Sequence, residues 1–249
     1  MTKASYFDSP QGHRLAYHYS AGTGPCIVFL GGLKSDMEGT KALHLEAWAR
    51  AQGRAFLRFD YSGHGESSGT FEEGCIGDWA EDTRAVVSAL TEGKIIPVGS
   101  SMGGWQALLL AKHLPKRIAG MVTIAAAPDF TEDGYWASFT DAQKDQLERE
   151  GRVEIPSDYM DPYVISKRMI EDGRAQLVLR SKLSLDFPVR CLQGTADTAV
   201  STQTAVRLLE HANSPDMRLL LVKDADHRFS DGPCLGLITD ALEQVLAAV

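Results

Sequence analysis

The 249-residue chain contains no apolar run near the ~20 residues that a membrane-spanning helix requires, which excludes a helical membrane protein. No stretch gathers Lys and Arg, and a net charge of −8 gives nothing that would draw a phosphate backbone or an anionic bilayer. The four cysteines, Cys26, Cys75, Cys191 and Cys234, show no C-x-x-C spacing. Cys26 and Cys191 lie in apolar runs, so buried free thiols are expected rather than disulfides. No set of His, Cys, Asp and Glu has metal-ligand spacing, and no G-x-G-x-x-G opens a helix after the first strand, so neither a metal nor a nucleotide cofactor is implied. The opening residues lack the apolar core of a secretion signal and the Arg-rich pattern of a transit peptide, which sets the expectation of a cytoplasmic protein. Internal repeats and low-complexity tracts are absent as well.

What remains is a single large domain with an ordinary apolar fraction of 44%. Residues 4–7 and 14–19 alternate around Asp8-Ser9-Pro10-Gln11-Gly12 and predict an opening β-hairpin. Continuous apolar runs at 26–30, 55–60, 94–98, 120–126, 187–193 and 217–222 predict strands, most of them buried on both faces. Helical patterns at 38–52, 78–90, 101–114 and 201–211, with another from Pro233 onwards, fall between or after them. Strands alternating with helices mean a mostly parallel sheet covered on both sides.

Residues 129–186 break the alternation. Thr140-Asp141-Ala142-Gln143 predicts a capping box opening a charged helix that stops at Gly151. Asp161-Pro162 predicts a second helix running to Gly173. The stretch reads as a helical lid inserted into a core made of residues 1–128 and 187–249. Its apolar residues Tyr135, Trp136, Phe139, Tyr159, Met160, Tyr163 and Met169 either face a site or dock the lid.

The chemistry centres on Gly99-Ser100-Ser101-Met102-Gly103, a G-x-S-x-G sequence between an apolar strand and a helix. Such a turn strains its central residue, lifts the Ser101 hydroxyl above the sheet edge and needs glycine where neighbouring backbone closes in. A serine hydroxyl becomes a nucleophile only when a base takes its proton and an acid orients that base. Asp197 and His227 each follow a strand by a few residues, and the order Ser101, Asp197, His227 is the one that accompanies this turn. His64 follows a strand too, but its expected role is loop packing. His13, His18, His44, His113 and His211 read as solvated. Asp224 and Asp226 share the loop of His227 and would approach it poorly. An oxyanion needs preorganised donors; the Met102 N–H is one by construction, and the Leu33 N–H of Gly31-Gly32-Leu33 is the expected second.

These residues resemble the α/β-hydrolase fold enzymes through nearly the whole length: Gly31-Gly32-Leu33, Phe59-Asp60-Tyr61-Ser62-Gly63-His64-Gly65-Glu66-Ser67, the serine turn through Trp105, Asp197-Thr198-Ala199-Val200 and Asp226-His227. Glu38-Gly39-Thr40-Lys41-Ala42, Arg58 to Gly63, Val98 to Trp105 and Asp226-His227-Arg228 are similar to the mitochondrial palmitoyl-protein thioesterase and acyl-glucuronide esterase branch. The resemblance implies a serine hydrolase of carboxylic esters or thioesters acting through an acyl-enzyme. Its substrate would be a small ester or thioester, or an acylated protein. An acyltransferase on the same residues and a non-catalytic ligand-binding protein are the alternatives. A basic pocket from Lys34, Arg58 or Arg228 could draw an anionic substrate despite the acidic net charge.

Overall fold

In the computed structural model, which describes residues 3–155 and 162–249, the opening hairpin is β1 (Ser5–Asp8) and β2 (Arg14–Ser20). The chain continues through β3 (Thr23–Leu30), α1 (Thr40–Ala51), β4 (Arg54–Phe59), α2 (Ile76–Leu90), β5 (Ile95–Ser100), α3 (Met102–His113) and β6 (Met121–Ile124). After an excursion of about sixty residues it resumes with β9 (Val189–Gly194), α6 (Thr202–His211), β10 (Met217–Val222) and α7 (Gly232–Leu246). The excursion holds α4 (Asp141–Glu150), β7 (Arg152–Ile155), β8 (Tyr163–Ser166) and α5 (Lys167–Ala175).

Eight strands form one sheet in the order β1-β2-β4-β3-β5-β6-β9-β10. The hairpin joins antiparallel and all pairs from β4 to β10 are parallel. Strands β5, β6 and β9 are buried at every residue, as the continuous apolar runs require. One face packs on α2 and α3 through Trp79, Val86, Trp105 and Leu108, and the other on α1 and α7 through Leu45, Ala49, Ile238 and Leu242. After β3 the chain steps outward to β4, then crosses back through α2 to β5 on the other side of β3. The carboxyl ends of β3 and β5 therefore flank the point where the winding reverses, where an open α/β sheet leaves a crevice.

The excursion differs from its expected form. The 140–150 helix has its capping box, and Gly151 closes it in the left-handed region at φ 75°. No helix starts at Pro162; residues Tyr163–Ser166 pair antiparallel with Arg152–Ile155, and the helix begins only after the Ser166 cap. Two β-branched residues, Val164 and Ile165, gain ladder bonds there that the proline signal did not anticipate. Asp161, Tyr159 and Met160 lie outside the described residues. Phe139 and Met169 are buried in the core cluster, with Tyr135, Trp136 and Tyr163 packed against it, so these side chains dock the excursion. A ring contact series from Trp105 to Phe130, Phe130 to Tyr135 and Tyr135 to Phe139 continues that packing. Buried Asp129 ties the ends together by accepting from the N–H groups of Val178 (2.8 Å) and Leu179 (3.0 Å).

Candidate active site

Ser101 stands between the end of β5 and the start of α3 with φ 55° and ψ −119°, a conformation that costs a non-glycine residue about 1–3 kcal/mol. The surroundings impose it. The Ser101 N–H donates to the Ile124 carbonyl (2.9 Å), and its own carbonyl accepts from Gly104 (2.9 Å) and Ala127 (3.1 Å). The glycines permit the crossing: a Cβ at Gly99 would lie 2.2 Å from the Gly103 carbonyl oxygen, and one at Gly103 would lie 2.0 Å from that of Leu30.

The sheet brings Asp197 from the end of β9 and His227 from the loop after β10 to this serine. His227 Nε2 is 3.1 Å from Ser101 Oγ and Nδ1 is 2.8 Å from Asp197 Oδ2. The Asp197 carboxyl is fully buried. Its other oxygen accepts from the N–H groups of Ala199 (2.9 Å) and Val200 (2.8 Å). Burial pushes the Asp197 carboxyl up, but hydrogen bonds from His227, Val200 and Gln193 outweigh it and hold the group below its ordinary value. Gln193, the partner that the sequence did not disclose, donates its side-chain amide to Asp197 Oδ2 at 2.9 Å and to the Val200 carbonyl at 3.0 Å. Asp226 instead caps its own loop by accepting from Phe229 N–H (3.0 Å).

Two backbone donors flank the serine. Met102 is the first residue of α3, so its N–H has no carbonyl one turn earlier to bond and carries the helix's positive end. Gly31, Gly32 and Leu33 lie opposite; a Cβ on Gly32 would touch Ser101 Cβ at 3.4 Å. Among the described residues nothing accepts the Leu33 N–H.

His64 is buried, as its loop-packing role requires, among Tyr61, Phe71 and Trp79. His18 departs from expectation: it is buried on β2 with Nε2 3.3 Å from Glu38. Arg58 cannot form a basic pocket, because its buried guanidinium is held by Glu46 (2.8 Å), by Glu38 and by the Met37 carbonyl (2.9 Å). Lys34 lies over the rings of Phe71 (5.5 Å) and Tyr163 (5.7 Å). All four cysteines are free and buried.

A family model described as alpha/beta hydrolase fold matches residues 30–167, more than half of the chain. The chain belongs to the α/β-hydrolase fold family. This α/β hydrolase is 33% identical over 250 residues to the mitochondrial palmitoyl-protein thioesterase ABHD10 of Bos taurus, covering 98% of the chain and 80% of that protein. Its fold matches the crystal structure of a protein from Agrobacterium vitis S4 with a TM-score of 0.94 at 38% identity over 98% of both chains. It also matches alpha/beta hydrolase domain-containing protein 10 from mouse, with a TM-score of 0.92 at 29% identity over 99% of both chains. The chain is a hydrolase of the α/β fold. No helix among the described residues is long and apolar enough to cross a membrane.

Proposed function

We propose that this α/β hydrolase cleaves carboxylic thioesters or esters through an acyl-enzyme, with Ser101, His227 and Asp197 as its catalytic residues. The observation that carries the proposal is the bridging imidazole, 3.1 Å from Ser101 Oγ and 2.8 Å from Asp197 Oδ2. In the first step Ser101 Oγ attacks the acyl carbon while His227 Nε2 takes the hydroxyl proton. Asp197 keeps the proton on Nδ1 and stabilises the imidazolium. The N–H groups of Met102 and Leu33 receive the oxyanion, each donor lowering the barrier by about 2.7–4 kcal/mol. Collapse breaks the bond to the leaving thiol or alcohol, which takes the proton from Nε2. Water then attacks the acyl-serine with His227 as base, releasing the acid and restoring Ser101.

Residues 129–186 serve as a lid whose docking rings bound the acyl side. The name of the bovine relative supports a palmitoyl-type thioester, including one on a protein, ahead of a short ester. Four unpaired buried cysteines support residence in a reducing compartment such as the cytoplasm.

Labelling by a fluorophosphonate and turnover of acyl thioesters and p-nitrophenyl esters of graded length, wild type against Ser101→Ala, test the reading. Labelling and turnover that both vanish in a folded Ser101→Ala support it. Turnover that survives the substitution overturns it.

A further inference from the structure

The Asp60-Tyr61-Ser62-Gly63-His64 segment has no place in the chemistry above, yet three of its side chains converge on the loop that carries Leu33. The Tyr61 hydroxyl donates to the Gly31 carbonyl (3.3 Å), Lys34 N–H donates to His64 Nε2 (3.1 Å), and Met37 N–H donates to Asp60 Oδ1 (2.7 Å). Consecutive peptide units are held in this way. The Gly31 carbonyl belongs to the unit before the Gly32–Leu33 peptide, and the Lys34 N–H to the unit after it. The carbonyl of that central peptide accepts from Ser35 N–H (3.2 Å). The N–H of that central peptide, that of Leu33, has no hydrogen-bond partner among the described residues.

Lys34 needs the restraint. Its φ of 58° is left-handed, a region a lysine enters only when the surroundings hold it there. The backbone N–H it offers can only donate, so His64 Nε2 must carry a lone pair. Nδ1, 3.1 Å from the Ser62 carbonyl, therefore carries the proton. Ser62 is itself immobilised, its N–H on Asp82 (2.8 Å) and its carbonyl also accepting from Trp79 Nε1 (3.1 Å). The aromatic rings around His64 favour the neutral imidazole that this tautomer demands; burial pushes its pKa down to about 4.

We infer that His64 is a positioning residue for the hydrolysis proposed above, holding the Leu33 N–H on the developing oxyanion through its acceptor bond from Lys34. The inference rests on that proposal. A group that only packed the loop would tolerate any side chain of similar volume. An acceptor that orients the oxyanion loop would instead act on the transition state and leave substrate binding alone.

The test compares His64→Leu, His64→Gln and His64→Asn with wild type, all checked for folding by circular dichroism. Three values are measured: kcat and KM on a p-nitrophenyl ester, and Ki for a trifluoromethyl ketone. That ketone forms a hemiketal with Ser101 and so places a real oxyanion in the site. Gln can set an acceptor where Nε2 stood, whereas Asn reaches only as far as Nδ1 and Leu offers nothing. The expected result for Leu and Asn is a fall in kcat of about 10- to 100-fold, smaller than deleting an oxyanion donor outright, with KM within about 3-fold and Ki rising in parallel. Gln should recover most of kcat and Ki. Should Leu not fold, the difference between Gln and Asn decides. Equal kcat and Ki for folded Gln and Asn, or wild-type values in all variants, overturn the inference while labelling of Ser101 keeps the hydrolase reading standing. Absence of Ser101 labelling in wild type would sink both.

Discussion

Gln193, near the end of β9, and Asp197, on the loop that follows, meet side chain to side chain, the amide at 2.9 Å from the same carboxylate oxygen that faces His227. That contact makes the glutamine part of the site's electrostatics. Gln193→Leu removes a donor to a carboxylate and also strips the Val200 carbonyl of a partner. The expected result is a loss in kcat of about 10-fold with KM little changed, since a hydrogen bond to a charged group is worth about 1.5–3 kcal/mol. The second-order rate of fluorophosphonate labelling should fall in step. The sign of the pH effect follows from the lowered native value of Asp197. Its contribution to stability is present above the ordinary carboxylate range and lost as pH falls through the lowered value. In the variant the native value moves up towards the ordinary one, so that loss should be smaller, visible in thermal melts taken from pH 7 down to 3.

Asp60 has the opposite sign. Burial raises its carboxyl to about 6, against the effect of the N–H donors of Glu66 and Met37. The folded state therefore holds a proton more firmly than the unfolded chain, and this group's contribution to stability rises as pH falls from about 6 towards 4. The gain should be on the order of 2 kcal/mol and missing in Asp60→Asn, which also turns an amide NH2 against one of the two backbone donors. Urea unfolding of both proteins at pH 7 and pH 4 measures it. A wild-type pH response identical to that of the variant would disprove the assignment.

The strain at Ser101 gives a stability test independent of activity. Ser101→Ala keeps a Cβ at φ 55°, whereas Ser101→Gly removes it. Both should be inactive, and the glycine variant should be more stable than the alanine variant by about 1 kcal/mol, read from denaturant midpoints at equal slope.

Glycine positions separate by what a Cβ would meet. Gly103→Ala drives it to 2.0 Å from the Leu30 carbonyl oxygen, between two backbones that cannot part. That change should cost more than about 4 kcal/mol, or prevent folding. Gly151→Ala meets nothing but must adopt φ 75°, with an expected cost of about 1 kcal/mol. Gly232→Ala, at the open start of α7, should be neutral or stabilising. Melting temperatures should rise from Gly103→Ala through Gly151→Ala to Gly232→Ala, and a mild Gly103→Ala would show the serine turn to be looser than its contacts indicate.

The sequence by itself determined the parts whose signal is local. Apolar runs buried on both faces marked β3 to β6 and β9, and glycines flanking a serine between strand and helix marked the turn at Ser101. The Thr140 and Gln143 spacing marked the start of α4. The position of Asp197 and His227 after strands was also legible, because a parallel sheet sends its strand ends to one side whatever the intervening lengths. Tertiary structure alone decided the rest. Gln193 reads as one more strand residue until the 194–200 loop folds back over it. Tyr163 to Ser166 became a strand because β7 offered a ladder, overriding the proline that suggested a helix. Arg58 and His18 looked available and are buried, since only the packed sheet brings Glu46 and Glu38 beside them. Pattern along a chain reports which surfaces must be covered; which polar groups then meet beneath the cover depends on distances that close only when the whole sheet has assembled.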